Sequence, residues 1–152
     1  MHSGPVYQIV TNYMAGRTLE DMIKWMPHVA CDTRFTDEHF PSDPIAGPYV
    51  ETGRLVRYTH EVIAAEVEKS FTGQRFRPAC AAELLAFVGT YHEDKRLPYG
   101  LEIAALGSRW QGRVPKATNR TRDDRDSGWN IDLIDVSDVW DNEVTFLAIH
   151  EK

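Results

Sequence analysis

The sequence predicts an α+β fold: N-terminal helices, over about residues 1–96, packed on a small C-terminal antiparallel β-sheet of about three strands within residues 97–152. Three observations predict it. Trp129 to His150 reads as two strands, WNIDLIDV and VTFLAIH, joined by the acidic connection SDVWDNE. GLEIAALGSRW, some twenty residues earlier, is strand-like as well. Before residue 97 the apolar residues recur at helical spacing, and helices followed by strands give an α+β arrangement.

Taken in order, Pro5 after Ser3 and Gly4 suits a helix start, and Val6, Ile9, Val10, Tyr13 and Met14 fall on one helical face. Their β-branched and aromatic character keeps a strand as the alternative. Thr18 with Asp21 forms a capping-box pattern for a short second helix that buries Leu19, Met22, Ile23 and Met26 and ends at Pro27. His28 to Gly53 reads as a long irregular loop punctuated by Pro41, Pro44, Gly47 and Pro48, with Phe35, Phe40 and Tyr49 pinning it down. A third helix is predicted from about Leu55 to Phe71, with Thr59, Val62, Ile63 and Val67 as its stripe and Gly73 as its stop. The fourth helix has Pro78 in its first turn and Ala81, Leu84, Leu85, Val88 and Tyr91 on one face.

The C-terminal part begins with the turn Leu97-Pro98-Tyr99-Gly100. Leu101, Ile103 and Ala105 then alternate with Glu102, Ala104 and Leu106, and Gly107 and Gly112 mark a bend near Trp110. Gln111 to Gly128 reads as a polar, charged loop. In the last two strands Trp129, Ile131 and Leu133 oppose Asn130, Asp132 and Ile134, and Val144, Phe146 and Ala148 oppose Thr145, Leu147 and Ile149.

A chain of 152 residues is one domain by length, here 1–152, with room for an ordinary core. No apolar run approaches the roughly 18–20 residues needed to span a bilayer, so no membrane partner is expected. The N-terminus lacks the basic and apolar regions of a secretory signal, which leaves a cytoplasmic location as the expectation. Cys31 and Cys80 then read as reduced, packed thiols. The net charge of −6 argues against a general nucleic-acid binder, whose affinity rests on excess Lys and Arg.

No motif carries a defined chemistry. His28, Cys31, Cys80 and His92 are the best zinc candidates, but structural zinc sites show two short paired spacings and the second pair here is eleven residues apart. His60-Glu61 lacks the second histidine of a zincin helix, because position 64 is alanine. His39 lies beside Asp37 and Glu38, and His92 suits a helix C-terminus without any catalytic role. Gly107-Ser108 lacks the flanks of a nucleophile elbow, and phosphate-binding glycine loops are absent. Asp132, Asp135, Asp138 and Asp141 recur every third residue, which matches neither one strand face nor a calcium loop. No metal and no cofactor is expected.

What stands out is a reversal of charge. Arg109, Arg113, Lys116, Arg120, Arg122 and Arg125 precede a stretch, Asp126 to Glu143, that is acidic without Lys or Arg. With Trp110 and Trp140 flanking it, this seam has the Arg and Trp content of interaction hot spots. Arg109, Trp110, Arg113, Arg120, Arg122 and Trp140 are therefore the candidate binding residues. The favoured function is a small non-enzymatic binding or accessory module acting on another protein through the charged loop and sheet. The alternatives are a hydrolase using His with Asp or Glu, and a nucleic-acid binder or acidic mimic.

Overall fold

A computed structural model describes residues 1–10, 18–41, 50–121 and 128–151. Its elements are β1 (His2–Val10), α1 (Leu19–Lys24), β2 (Val29–Cys31), β3 (Val50–Arg57), α2 (Ala64–Gly73), β4 (Phe76–Pro78), α3 (Ala81–Tyr91), β5 (Glu102–Ala104), β6 (Arg113–Asn119), β7 (Trp129–Asp135) and β8 (Val144–His150). All the strands join one eight-stranded sheet in the order β1-β3-β8-β5-β6-β7-β2, with β4 also paired to β8. This overturns the predicted α+β class. The fold is mostly sheet with three short helices, and the part expected to be helical, residues 1–96, contributes half the strands. Nor is the sheet antiparallel: β5 runs parallel to β8, and β2 parallel to β7.

β8 organises the sheet. One of its edges pairs with β3 from Thr145 to Ile149, and the other pairs with β5 at its start and β4 at its end. The Ala79 amide donates to the Leu147 carbonyl between them, so no stretch of either edge is open. Both faces are covered as well. Leu147 and Ile149 join a core with Tyr7, Ile9, Leu55 and the α3 residues Leu84, Leu85 and Val88. Val144, Phe146 and Ala148 join a second core with Val67 and Phe71 of α2, Tyr58 and Trp140. A strand buried on both faces reads as a near-continuous apolar run, as VTFLAI does with Thr145 its one polar residue.

The errors in the sequence reading have local causes. β1 was hidden by Pro5, which suits a helix start equally well; here it falls where the β1–β3 register shifts between Ser3 and Val6, on the edge strand where proline is tolerated. Tyr7 and Ile9 are buried there while Val6 is 46% exposed and Gln8 is exposed as well, a period of two. The predicted helix from Leu55 to Phe71 is β3 to Arg57 followed by a helix that starts only at Ala64. β6 was read as loop because Pro115, Lys116 and Asn119 look polar or breaking; Pro115 still accepts a ladder bond from Ala105. β7 and β8 are both strands, as expected, but β5 and β6 lie between them and they run in the same direction. The α1 capping box forms, with the Asp21 amide donating to Thr18 Oγ1 at 3.1 Å. Gly107 lies so close to the β4–α3 junction that a Cβ there would meet the Ala79 carbonyl oxygen at 2.6 Å, and its amide donates to that same oxygen.

A buried ion cluster locks α3 to the sheet. Arg77 reaches both oxygens of Glu83, at 2.8 and 2.7 Å, and Glu51 of β3 at 3.0 Å. The Cys80 amide also donates to Glu83, closing the N-terminal cap of α3. Burial pushes the Glu83 carboxyl upward, but bonds from Arg77, Glu51 and Cys80 outweigh it and hold the group below the usual carboxylate range. Glu83 is 2% exposed, so loss of its charge leaves the half-exposed Arg77 with Glu51 as its remaining carboxylate and weakens the cap acceptor of the Cys80 amide.

Part of the outer edge of β1 is also capped. Tyr91 Oη donates to the Gln8 carbonyl at 2.6 Å and accepts from the Gln8 amide at 3.1 Å, while Arg54 donates to the Gly4 carbonyl. These bonds occupy backbone groups that would otherwise template a further strand.

Two outcomes follow from these contacts. Glu83→Gln should lower stability by about 1–3 kcal/mol at pH 7 in urea melts, less than for a fully buried pair because Arg77 is 38% exposed and keeps Glu51. Because the folded pKa is depressed, that contribution is complete above about 4.5, the ordinary value, and is lost as pH falls below it; the gap between wild type and variant should therefore narrow at pH 3. Tyr91→Phe should uncover the Gln8 amide and carbonyl, and sedimentation velocity should then show self-association that grows with concentration beyond any seen in the wild type.

Candidate functional site

The site begins at a hairpin. Trp110 and Arg113 exchange both backbone hydrogen bonds, at 3.0 and 2.9 Å, across Gln111 and Gly112. Both central residues have positive φ, 49° and 73°, as a type I′ turn requires. Gly112 adopts this freely and Gln111 does so at a cost, so the turn is held by what surrounds it. Its anchor is β7's end: the Val136 amide donates to the Gly112 carbonyl at 2.7 Å, and Arg113 pairs with Asp135 in the ladder.

A second segment packs against this hairpin. After β2, the Asp32 carboxylate accepts from the Arg34 amide at 2.8 Å and from its guanidinium at 3.0 and 2.8 Å. Phe35 and Phe40 are buried and hold the turn to the core. Asp37 accepts from the Leu19 and Glu20 amides, which ties the turn to the start of α1. The turn presents His39, whose Nδ1 lies 2.8 Å from the Arg34 carbonyl. A carbonyl only accepts, so Nδ1 carries the proton and the ring's orientation is fixed.

The two segments meet in a stack. His39 lies on Trp110 with ring centroids 3.8 Å apart and planes at 13°, and the Arg113 guanidinium is 5.8 Å from the indole centroid. Trp110 is half-buried, Arg113 half-buried and Gln111 exposed at the tip. Two carboxylates balance the cations. The Arg34 hydrogen bonds, helped by the nearby charge of Arg113, hold Asp32 at about 2. Ser137 and then Arg113 lower Asp135. What results is a rigid aromatic–guanidinium surface of mixed charge.

The six candidate residues do not converge. Trp110 and Arg113 share the stack. Arg109 turns away to pair with Glu68 of α2. Arg120 follows the far end of β6, roughly 20 Å from Arg113 at the usual strand rise. Arg122 lies outside the described residues. Trp140 is 4% exposed and packs edge-on to Phe146, while its backbone bridges Val62, so it has no surface to offer a partner. His39 and Arg34 are the members the sequence reading missed. The sequence sets His39 near Asp37 and Glu38 alone, and nothing local points a histidine at a tryptophan 71 residues away.

The remaining histidines scatter. His28 and His92 stack at 5.6 Å beside a cavity of about 120 Å³ lined also by Trp25, Met26 and Gly89. His60 neighbours Tyr58, and His150 accepts from Arg54. The zinc candidates thus split. His28 and His92 come together, whereas Cys31 and Cys80 are free thiols whose pKa burial pushes to about 11 and about 12. Among the described residues no group of three or more His, Cys, Asp or Glu side chains is arranged to hold a metal ion. In the acidic ladder, Asp135 and Asp141 accept from the amides of Ser137 and Glu143, so each caps its own turn. No described helix is long and apolar enough to cross a membrane.

No protein-family model, no curated protein and no solved structure matches this chain.

Proposed function

We propose that this chain is a small non-enzymatic binding module that meets another protein through the Trp110–Arg113 hairpin. The observation that carries the reading is the His39–Trp110 stack, a flat aromatic surface fixed in place next to Arg113 at the tip of the sheet. Trp and Arg are the residues that most often dominate interface energetics. A side chain already immobilised loses little entropy on binding, which raises the affinity it can deliver.

Two features favour a protein over a nucleic acid here. Arg34 is paired with Asp32, and Arg113 lies near Asp32 and Asp135, so the surface is not a strong positive field. Phosphate-driven binding needs unneutralised cations.

A photo-crosslinking residue placed at Gln111 tests the reading in the cells that encode the chain. A discrete protein adduct is expected from position 111 and not from a control position at Glu143. Trp110→Ala should weaken the interaction by at least about 2 kcal/mol, roughly 30-fold, and Arg113→Ala should act in the same direction. An adduct equally strong in both variants, or one released by nuclease, would contradict the proposal.

A further inference from the structure

A separate cavity lies where the start of β1, the end of β3 and the turn before β8 converge. Its volume is about 320 Å³, and it is lined by His2, Arg57, Tyr58, Thr59 and Asn142. We infer that this cavity binds the phosphoryl group of a small phosphate monoester, with Arg57 as the principal ligand.

The lining is chemically one-sided. Arg57, His2, Thr59 and Asn142 all bring side-chain donors, and no carboxylate is among the lining residues. His2 and Arg57 are direct cross-strand partners in the β1–β3 ladder, a pairing that sets their side chains next to one another at the cavity. Tyr58 contributes a wall rather than a donor, since its hydroxyl is engaged with Ser70 at 2.7 Å.

Arg34, Arg77, Arg96 and Arg109 each hold a carboxylate. Arg57, like Arg54 and Arg113, is one of the described arginines that hold none. Its hydrogen bond is a 3.5 Å contact to the Asn142 carbonyl, at the outer limit for such a bond, and this keeps the guanidinium beside the cavity. The acidic residues flanking Asn142 do not line the cavity, and Asp141 is turned to the Glu143 amide of its own loop at 2.8 Å.

Phosphate is the oxyanion that suits this set best. Its several oxygens can use the guanidinium fork together with the Thr59 hydroxyl just beyond β3 and the Asn142 amide of the turn before β8. The volume sits at the lower end of small-molecule pockets, about 300–1,000 Å³, so a phosphoryl group leaves room for a modest organic portion. A monoester rather than free phosphate is therefore the expected ligand class.

The test is a titration of the intact chain followed by NMR, observing backbone amides and arginine Nε–Hε signals at constant ionic strength. Inorganic phosphate, phenyl phosphate and acetate are the three probes. Saturable shifts are expected at Arg57, His2, Thr59 and Asn142, with phenyl phosphate binding more tightly than phosphate and acetate weakest. Arg57→Gln should weaken phenyl phosphate binding at least about ten-fold, as the loss of a bidentate charged contact implies. Lys95→Gln, at an exposed position away from the cavity, should leave it unchanged. If Arg57→Gln does not give a dispersed spectrum, His2→Gln must show the weakening instead. Shifts that do not saturate, acetate binding as tight as phenyl phosphate, or unaltered binding in a folded Arg57→Gln variant would overturn the assignment.

Discussion

Everything in this fold hangs on the burial of β8 on both edges and both faces. Each backbone group of a strand so enclosed must find its partner within the protein, because water cannot reach it. β3 supplies those partners along one edge, and β5, Ala79 and β4 divide the other between them. The side chains alternate between two cores, one closed by α3 and the other by α2 with Trp140. Helices α2 and α3 are thus lids for the sheet, with α1 packed on α3, and not the body on which a sheet rests.

That constraint limits where exposed groups can lie. Central strands with both faces covered have no surface, and Tyr91 caps the β1 edge at Gln8. Exposed side chains remain on the outer strands, as at Val6 of β1 and Asp132 of β7, and at strand ends and the turns beyond them. The Trp110–Arg113 hairpin stands at one such end, braced by the turn after β2. The cavity around Arg57 stands at another, where three strands begin or finish. Both stand where strands of the sheet begin or end.

What was legible in the sequence was what is encoded locally. The α1 capping box, the apolar face of α3 and the strands β7 and β8 each carry their signal within a dozen residues. β2 and β4 are three residues long, too short to show a period. β1 carried two periods at once, with Pro5 tipping the reading towards helix, and β6 was disguised by Pro115 and its polar neighbours. The parallel pairing of β5 with β8 joins segments some forty residues apart, and no local pattern announces it. The same holds for the sites. Trp110 and Arg113 drew attention through composition, but His39 and the His2–Arg57 pair become visible only once distant strands are placed side by side.

The central claim, that β8 is the enclosed strand on which the sheet is built, is tested most directly by native-state hydrogen exchange read residue by residue. Backbone amides of Thr145 to Ile149 should be the slowest in the chain, exchanging together with their β3 partners only through global unfolding and with the free energy measured by denaturant. If those amides exchange through local opening, faster than amides in β6 and β7, β8 does not occupy the centre of the sheet and the account of the fold is wrong.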